Sequence, residues 1–416
     1  MKTKLIIILI LAFVLRLIFV PVVFHKDVFD QLNWAKDLER NGLIGFYDRD
    51  IPDAGDPNYP PLYFLTIYAN NSVYLLSRNV MWGINTKVKI FPSQFYLWYE
   101  SNRGRIAFNK LLPIFCDLAI GYLIYLAVLK LRDNKSAAIA LSLFLFLPPS
   151  WYLSSVWGQT DSIYLLPLLV SFYFLFFDKK ITLSILLFTI SFLIKPTAVL
   201  LAPIYLTSLV DGVNKDLFKG VILSIILLFA VGLPFGILPV PSQIINFYVY
   251  NIREIQGYVT SNTFNLWGII FGFGTISDQT LWFGIKSFYL GALFTLVFWI
   301  YYSVLIFKEK KLELKLLTTS LISYSAFLFL TRMHERYFYL TFILLVILGS
   351  LYKRTAFVLI LATIIFSINL YHFWWVPGGD LFKYILSARN VEIGFCLLNL
   401  FTFFYLERLR VKYLNG

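Results

Sequence analysis

The sequence predicts an all-α polytopic membrane protein, and three observations carry that prediction. Of its 416 residues 59% are hydrophobic and only 14% charged, against roughly 25% charge in a soluble chain. The apolar residues gather in runs long enough to cross a hydrocarbon core of about 30 Å. The basic residues cluster in the short connections between those runs, as the positive-inside bias requires.

Taken in order, the expected spans are residues 5–23, 111–129, 136–153, 161–177, 180–194, 196–210, 219–238, 282–306, 316–330, 337–350, 355–374 and 391–406. At 1.5 Å per residue some are short for a crossing, so the count is about eleven to thirteen. The first run has only Lys2 and Lys4 before it and no small-residue cleavage pattern after Val23, so it reads as a retained first span. If the N-terminus is cytoplasmic, then K-L-R-D-N-K at 130–135, D-K-K at 178–180, N-K-D-L-F-K at 214–219, K-E-K-K-L-E-L-K at 308–315, Y-K-R at 352–354 and the tail E-R-L-R-V-K all fall on that face. Both termini are therefore expected in the cytoplasm.

The opposite, extracytoplasmic face then receives a first loop at 24–110, a second at 239–281, and shorter polar pieces at 157–161, around Lys195, at 331–336 and at 375–390. Two large loops on one face suggest a reaction chamber at the membrane surface more than a transport path at midplane. The chain reads as one integral-membrane domain over 1–416. Its formal charge of +13 is dispersed over connections, which points to anionic lipid and orientation and not to nucleic acid. Cys116 and Cys396 lie inside apolar runs, so neither a disulfide framework nor a thiolate metal site is indicated.

In the first loop, H-K-D-V-F-D-Q-L-N-W-A-K-D-L has helical spacing. Asp27, Gln31 and Trp34 share one face with Asp30 and Lys26 beside it, and Val28, Leu32, Ala35 and Leu38 are expected in the lipid interface. Asp27 is the carboxylate nearest the membrane exit: it either caps the helix, as does Asp30 on the same argument, or acts as general base on an acceptor hydroxyl. The prolines of G-D-P-N-Y-P-P-L-Y-F, which also holds Tyr59, forbid regular helix before Pro61 and make either a plain turn or a rigid cavity wall.

Asp117 lies within a span, where a carboxylate costs several kcal/mol unless paired or facing a cavity; Arg16 and Arg105 are its candidate partners. W-G-Q-T-D puts Gln159 and Asp161 at a span end, and F-L-I-K-P-T puts Lys195 beside Pro196, as a snorkelling cation or one that meets an anionic head group. T-R-M-H-E-R places Arg332 and Arg336 four residues apart, on one face if helical, with His334 and Glu335 adjacent. That set suits a phosphate. Three histidines without H-x-x-x-H spacing give little support to zinc.

In this order, D-V-F-D-Q-L-N-W, Y-P-P-L, Asp117, W-G-Q-T-D, K-P-T and R-M-H-E-R-Y resemble the GT-C class of integral-membrane glycosyltransferases. Within it they are similar to the dolichyl-phosphate-glucose-dependent glucosyltransferases and to the bacterial and archaeal mannosyltransferases related to the second GPI mannosyltransferase. The resemblance runs from the first span to about residue 340. It implies a GT-C-type fold with an outward-facing site and inverting transfer of a sugar from a polyprenyl or dolichyl monophosphate to a lipid-linked glycan or glycolipid. No nucleotide sugar or other cofactor is implied. It assigns Asp27 as base and puts His334 and Arg336, with Lys195, at the donor phosphate; Arg332 joins them by position. Asp30, Tyr59, Asp117, Gln159, Asp161 and Glu335 support the site. Metal-dependent members carry adjacent acidic residues in this loop, whereas here Val28 and Phe29 separate Asp27 from Asp30, so no metal is expected. The R-M-H-E-R-Y form of the motif favours mannose over glucose. The alternatives are a polytopic transporter or sugar-lipid flippase, and a polyprenyl-linked glucosyltransferase or other GT-C transferase with a different acceptor.

Overall fold

The computed structural model describes residues 2–205, 215–237, 240, 242, 247 and 257–414. Residues 206–210 of one expected span, Asn214, Leu238 at the end of another expected span, and most of 239–256 in the second loop lie outside the described residues. The described chain is almost wholly helical, with a single two-residue hairpin pairing β1 (Leu281–Trp282) and β2 (Ile285–Lys286). It is a multi-pass membrane protein by helix length and apolarity. Among the described residues six helices meet that standard, including Asn102–Leu131, Asp161–Asp178 and Leu312–Phe329, and a seventh does so if Asn134–Phe146 and Pro148–Trp157, bent by 50°, count as one span.

That count is lower than the eleven to thirteen expected from sequence. Lys2–Phe19 carries Lys2, Lys4 and Arg16, and Tyr339–Leu351 has only 13 residues, about 20 Å of helix. Yet nearly every side chain of Tyr339–Leu351 is buried among other helices, so its apolarity serves the bundle interior.

The site is positioned by α1 (Lys2–Phe19), α2 (Lys26–Asn41), α3 (Pro61–Lys87), α4 (Ser93–Glu100), α5 (Asn102–Leu131), α6 (Asn134–Phe146), α7 (Pro148–Trp151, running into a π-helical turn at Tyr152–Trp157) and α8 (Asp161–Tyr173). The expected extended approach to Pro61 is present, with Pro60 at φ −62°, ψ 160° and Pro61 as the first residue of a 27-residue helix. One expectation is corrected: Val28, Leu32, Ala35 and Leu38 are buried in protein and do not face lipid. Val28 and Leu32 pack on Ile106 of α5, and Trp34 meets Phe64 of α3 edge-on at 5.4 Å. The first loop thus folds back over α2 and supplies the apolar surface the bilayer was expected to provide.

Below the site lies a buried polar knot. Arg16 Nε stands 3.7 Å from Asp117 Oδ2, both side chains fully buried, and the Tyr339 hydroxyl donates to Asp117 Oδ1 at 2.7 Å. Ser162 also donates to Asp117, and Arg16 donates to the carbonyls of Ala12 and Leu145, each at 3.1 Å. Arg105, the other candidate partner, is committed to Glu39 at 2.7 Å. A buried pair of this kind is destabilising to break from one side, by about 3–5 kcal/mol, because the survivor is left uncompensated. Arg16→Met alone is therefore expected to unfold the protein at markedly lower temperature than Arg16→Met/Asp117→Leu, as read by thermal unfolding in one detergent. Equal destabilisation by both variants would refute this.

Candidate functional site

Asp27 is the second residue of α2. The helix is capped by His25, whose Nδ1 accepts from the Asp27 backbone N–H at 3.1 Å, so the capping role open to Asp27 and Asp30 in the sequence is filled by another residue. The Asp27 carboxylate is free to face the site. Gln159 Nε2 donates to its Oδ2 at 2.6 Å, and Arg336 Nη1 lies 3.8 Å from the same oxygen. Burial pushes the Asp27 carboxyl up, but His25, the Arg336 charge and the Gln159 amide together hold it below the usual carboxylate range.

Gln159 reaches Asp27 because of the turn before it. The π-helical turn ends at Gly158, whose φ of +85° is left-handed and favours glycine. The next helix begins with Asp161, which accepts from Lys195 Nζ at 2.6 Å through Oδ1 and lies 3.7 Å from Arg336 Nε through Oδ2. Lys195 stands at the break between Ile181–Ile194 and the 3₁₀ turn Pro196–Leu201, with its ammonium 4.8 Å from the centre of the Tyr337 ring.

Arg336 occupies a 3₁₀ turn, Glu335–Phe338, between the two carboxylates. Its ion pairs are 3.7 and 3.8 Å long, beyond direct hydrogen bonding, and its Nε is buried without a partner. The guanidinium therefore keeps donors in hand. It lies over Tyr337 at 5.6 Å and Trp157 at 6.0 Å. Burial and the charges of Arg336 and Lys195 push the neighbouring His334 imidazole well below its ordinary pKa, so it is neutral near pH 7. The Tyr59 ring stacks on Tyr63 at 4.1 Å, and burial raises its phenol, which also feels the charges of Arg336 and Asp27.

Three sequence-predicted residues stand apart from this cluster. Arg332 is the plain correction: residues 331–334 are not helical, Arg332 has φ +61°, and its Nε pairs with Asp278 Oδ2 at 2.6 Å, so it does not share a face with Arg336. It acts instead as an anchor. Its backbone N–H donates to Tyr258 at 3.0 Å, and Met333 O accepts from Ser261 N at 3.0 Å and from Thr263 Oγ1 at 2.6 Å, which ties the second loop alongside His334. Arg332→Ala is expected to lower thermal stability and loosen this loop in amide exchange while donor affinity changes less than threefold; a large affinity loss would return Arg332 to the site. Asp30 accepts from Gly55 N at 3.2 Å and, with Trp34 donating to Gly55 O at 2.8 Å, holds the first loop's turn. Asp117 lies one layer deeper, beside Ser162.

Glu335 is buried, and burial raises its carboxyl. It accepts from Trp374 Nε1 at 3.2 Å, while the Trp374 ring meets His25 at 4.0 Å and Trp157 at 5.6 Å. This aromatic wall was missed in the sequence. His25 opens the quoted H-K-D stretch and Trp157 the W-G-Q stretch, but Trp374 gives no local signal. Among the described residues no group of three His, Cys, Asp or Glu converges as a metal site.

No family pattern matches the chain, and no curated protein is detectably similar to it.

Proposed function

We propose that this protein is an inverting, membrane-embedded glycosyltransferase that moves a hexose, mannose in preference to glucose, from a polyprenyl or dolichyl monophosphate to a lipid-linked glycan or glycolipid. One observation carries the reading: Arg336, with uncommitted donors, stands between Asp27 and Asp161 and beside neutral His334 and cationic Lys195. Such a site offers a base and a phosphate-binding cation within one side chain's reach of each other.

In the reaction Asp27 accepts the proton of a sugar hydroxyl as that oxygen attacks the anomeric carbon. The bond from that carbon to the donor phosphate breaks, and the departing lipid phosphate keeps its electron pair with its charge held by Arg336, His334 and Lys195. Arg332 is left out of this reading because its Asp278 pair sets it apart from the Asp27–Arg336 cluster. No second carboxylate need flank the bond, unlike glycoside hydrolysis. One displacement inverts the anomeric centre, so a β-linked donor yields an α-linked product. We place the site on the extracytoplasmic face, with both termini cytoplasmic, because this orientation puts the basic connections inside.

The test is transfer of labelled sugar from polyprenyl-phosphate-mannose and, in parallel, polyprenyl-phosphate-glucose into host lipid extract by the purified protein, with the product's anomeric configuration read by NMR. An inverted glycoside is expected. Donor binding with no glycoside from any host acceptor would favour a flippase; a retained configuration would exclude the single displacement.

A further inference from the structure

Lys110 belongs to α5, is 2% exposed, and forms no ion pair with a carboxylate among the described residues. Its Nζ donates to three main-chain carbonyls: Ser155 at 2.9 Å and Val156 at 3.0 Å, and Val22. A buried ammonium without a counter-ion carries a large desolvation penalty, so an apolar residue would serve mere packing better. The carbonyls it joins are informative. Val22 lies between the end of α1 and His25, on the segment that delivers Asp27, while Ser155 and Val156 are in the last turn of the π-helix, just before Gln159. Carbonyls at the end of a helix lack the backbone donors that a continuing helix would supply. The chain instead turns through Gly158, where an added Cβ would come within 2.7 Å of Lys110 Cε and 2.8 Å of Val28 Cγ1.

We propose that Lys110 is a positioning residue that clamps the two segments carrying Asp27 and Gln159, and so sets the 2.6 Å hydrogen bond between them. The proposal rests on the glycosyltransferase reading for its catalytic consequence. An ammonium presents three tetrahedrally disposed donors from one atom, which matches three carbonyls drawn to one point; without it these oxygens are buried, unsatisfied and mutually repulsive. Gln159 then leaves Asp27, and the groups still facing that carboxylate are His25 and Arg336, with Asp30, Lys195, His334 and Tyr59 within electrostatic reach. Removing the amide takes away one of the contacts that keep Asp27 acidic, so its proton affinity rises.

Full-length Lys110→Met, Gly158→Ala and Gln159→Leu are compared with wild type by steady-state transfer across pH and by amide exchange of 22–30 and 155–162. For Lys110→Met, kcat is expected to fall by about 10- to 100-fold, donor KM to stay within threefold, the acid limb to move to higher pH, and exchange to rise in both segments. Gly158→Ala, which displaces the same turn with the ammonium retained, should do likewise and decides the matter if Lys110→Met does not fold. Gln159→Leu should reproduce the kcat loss and the pH shift without loosening 22–30. An unchanged acid limb and kcat, or unchanged exchange, would overturn the clamp. If wild type transfers no sugar, the functional reading fails, and the exchange result alone still accepts or rejects the clamp.

Discussion

Arg336→Gln is expected to lower affinity for a polyprenyl-phosphate donor by roughly 10²- to 10³-fold and to abolish detectable transfer. A charge-assisted contact to phosphate is about twice as strong as a neutral one, and here two carboxylates would also lose their common cation. Asp27 and Asp161 both face Arg336; Asp161 keeps Lys195, but Asp27 keeps no strong cation. The pH dependence gives a second reading of the same change. Asp27's folded pKa is depressed below its ordinary 3.8, so its ionised form stabilises the fold above that value, and this contribution is lost only as pH falls through the depressed one. Removing Arg336 leaves burial less opposed. The acid limb of residual activity should therefore move up in pH in Arg336→Gln, and titration of donor binding by calorimetry should show the affinity loss at neutral pH. Donor binding within threefold of wild type would refute the role given to Arg336.

Asp27→Asn has the second large effect, opposite in its signature. Loss of a general base typically lowers rate by about 10²- to 10⁴-fold, and the amide is nearly the same shape, so Gln159 and α2 stay in place. Donor affinity should hold or improve, because Arg336 is released from a carboxylate 3.8 Å away and is freer to meet phosphate. Rate and affinity thus move apart in Asp27→Asn and fall together in Arg336→Gln.

Much of this arrangement was legible because the sequence places charge where the membrane makes charge expensive. Asp27, Gln159, Asp161, Lys195, His334 and Arg336 all interrupt or border apolar runs, and the fold gathers them at one end of the bundle. The failure at Arg332 has a definite cause. Pairing it with Arg336 assumed helical spacing, whereas the chain leaves the helix after Phe329 and turns at Arg332 with φ +61°. The extent of α3 was hidden because Asn70, Asn71, Ser72, Ser77 and Arg78 break the hydropathy of a helix running to Lys87. Trp374 could not be found at all, since its contacts with Glu335 and, hundreds of residues away, with His25 follow no local spacing. The number of crossings was not legible from apolarity alone, because an apolar run answers equally to lipid and to a bundle interior, as Tyr339–Leu351 does.

The most direct test of the central claim is a single-turnover measurement of sugar transfer from labelled polyprenyl-phosphate-mannose, run beside equilibrium binding of the same donor, for wild type and Asp27→Asn. The expected result is transfer by wild type, loss of at least 10²-fold in the variant, and donor binding that is equal or tighter. Transfer at the wild-type rate by Asp27→Asn would contradict the assignment of Asp27 as the base.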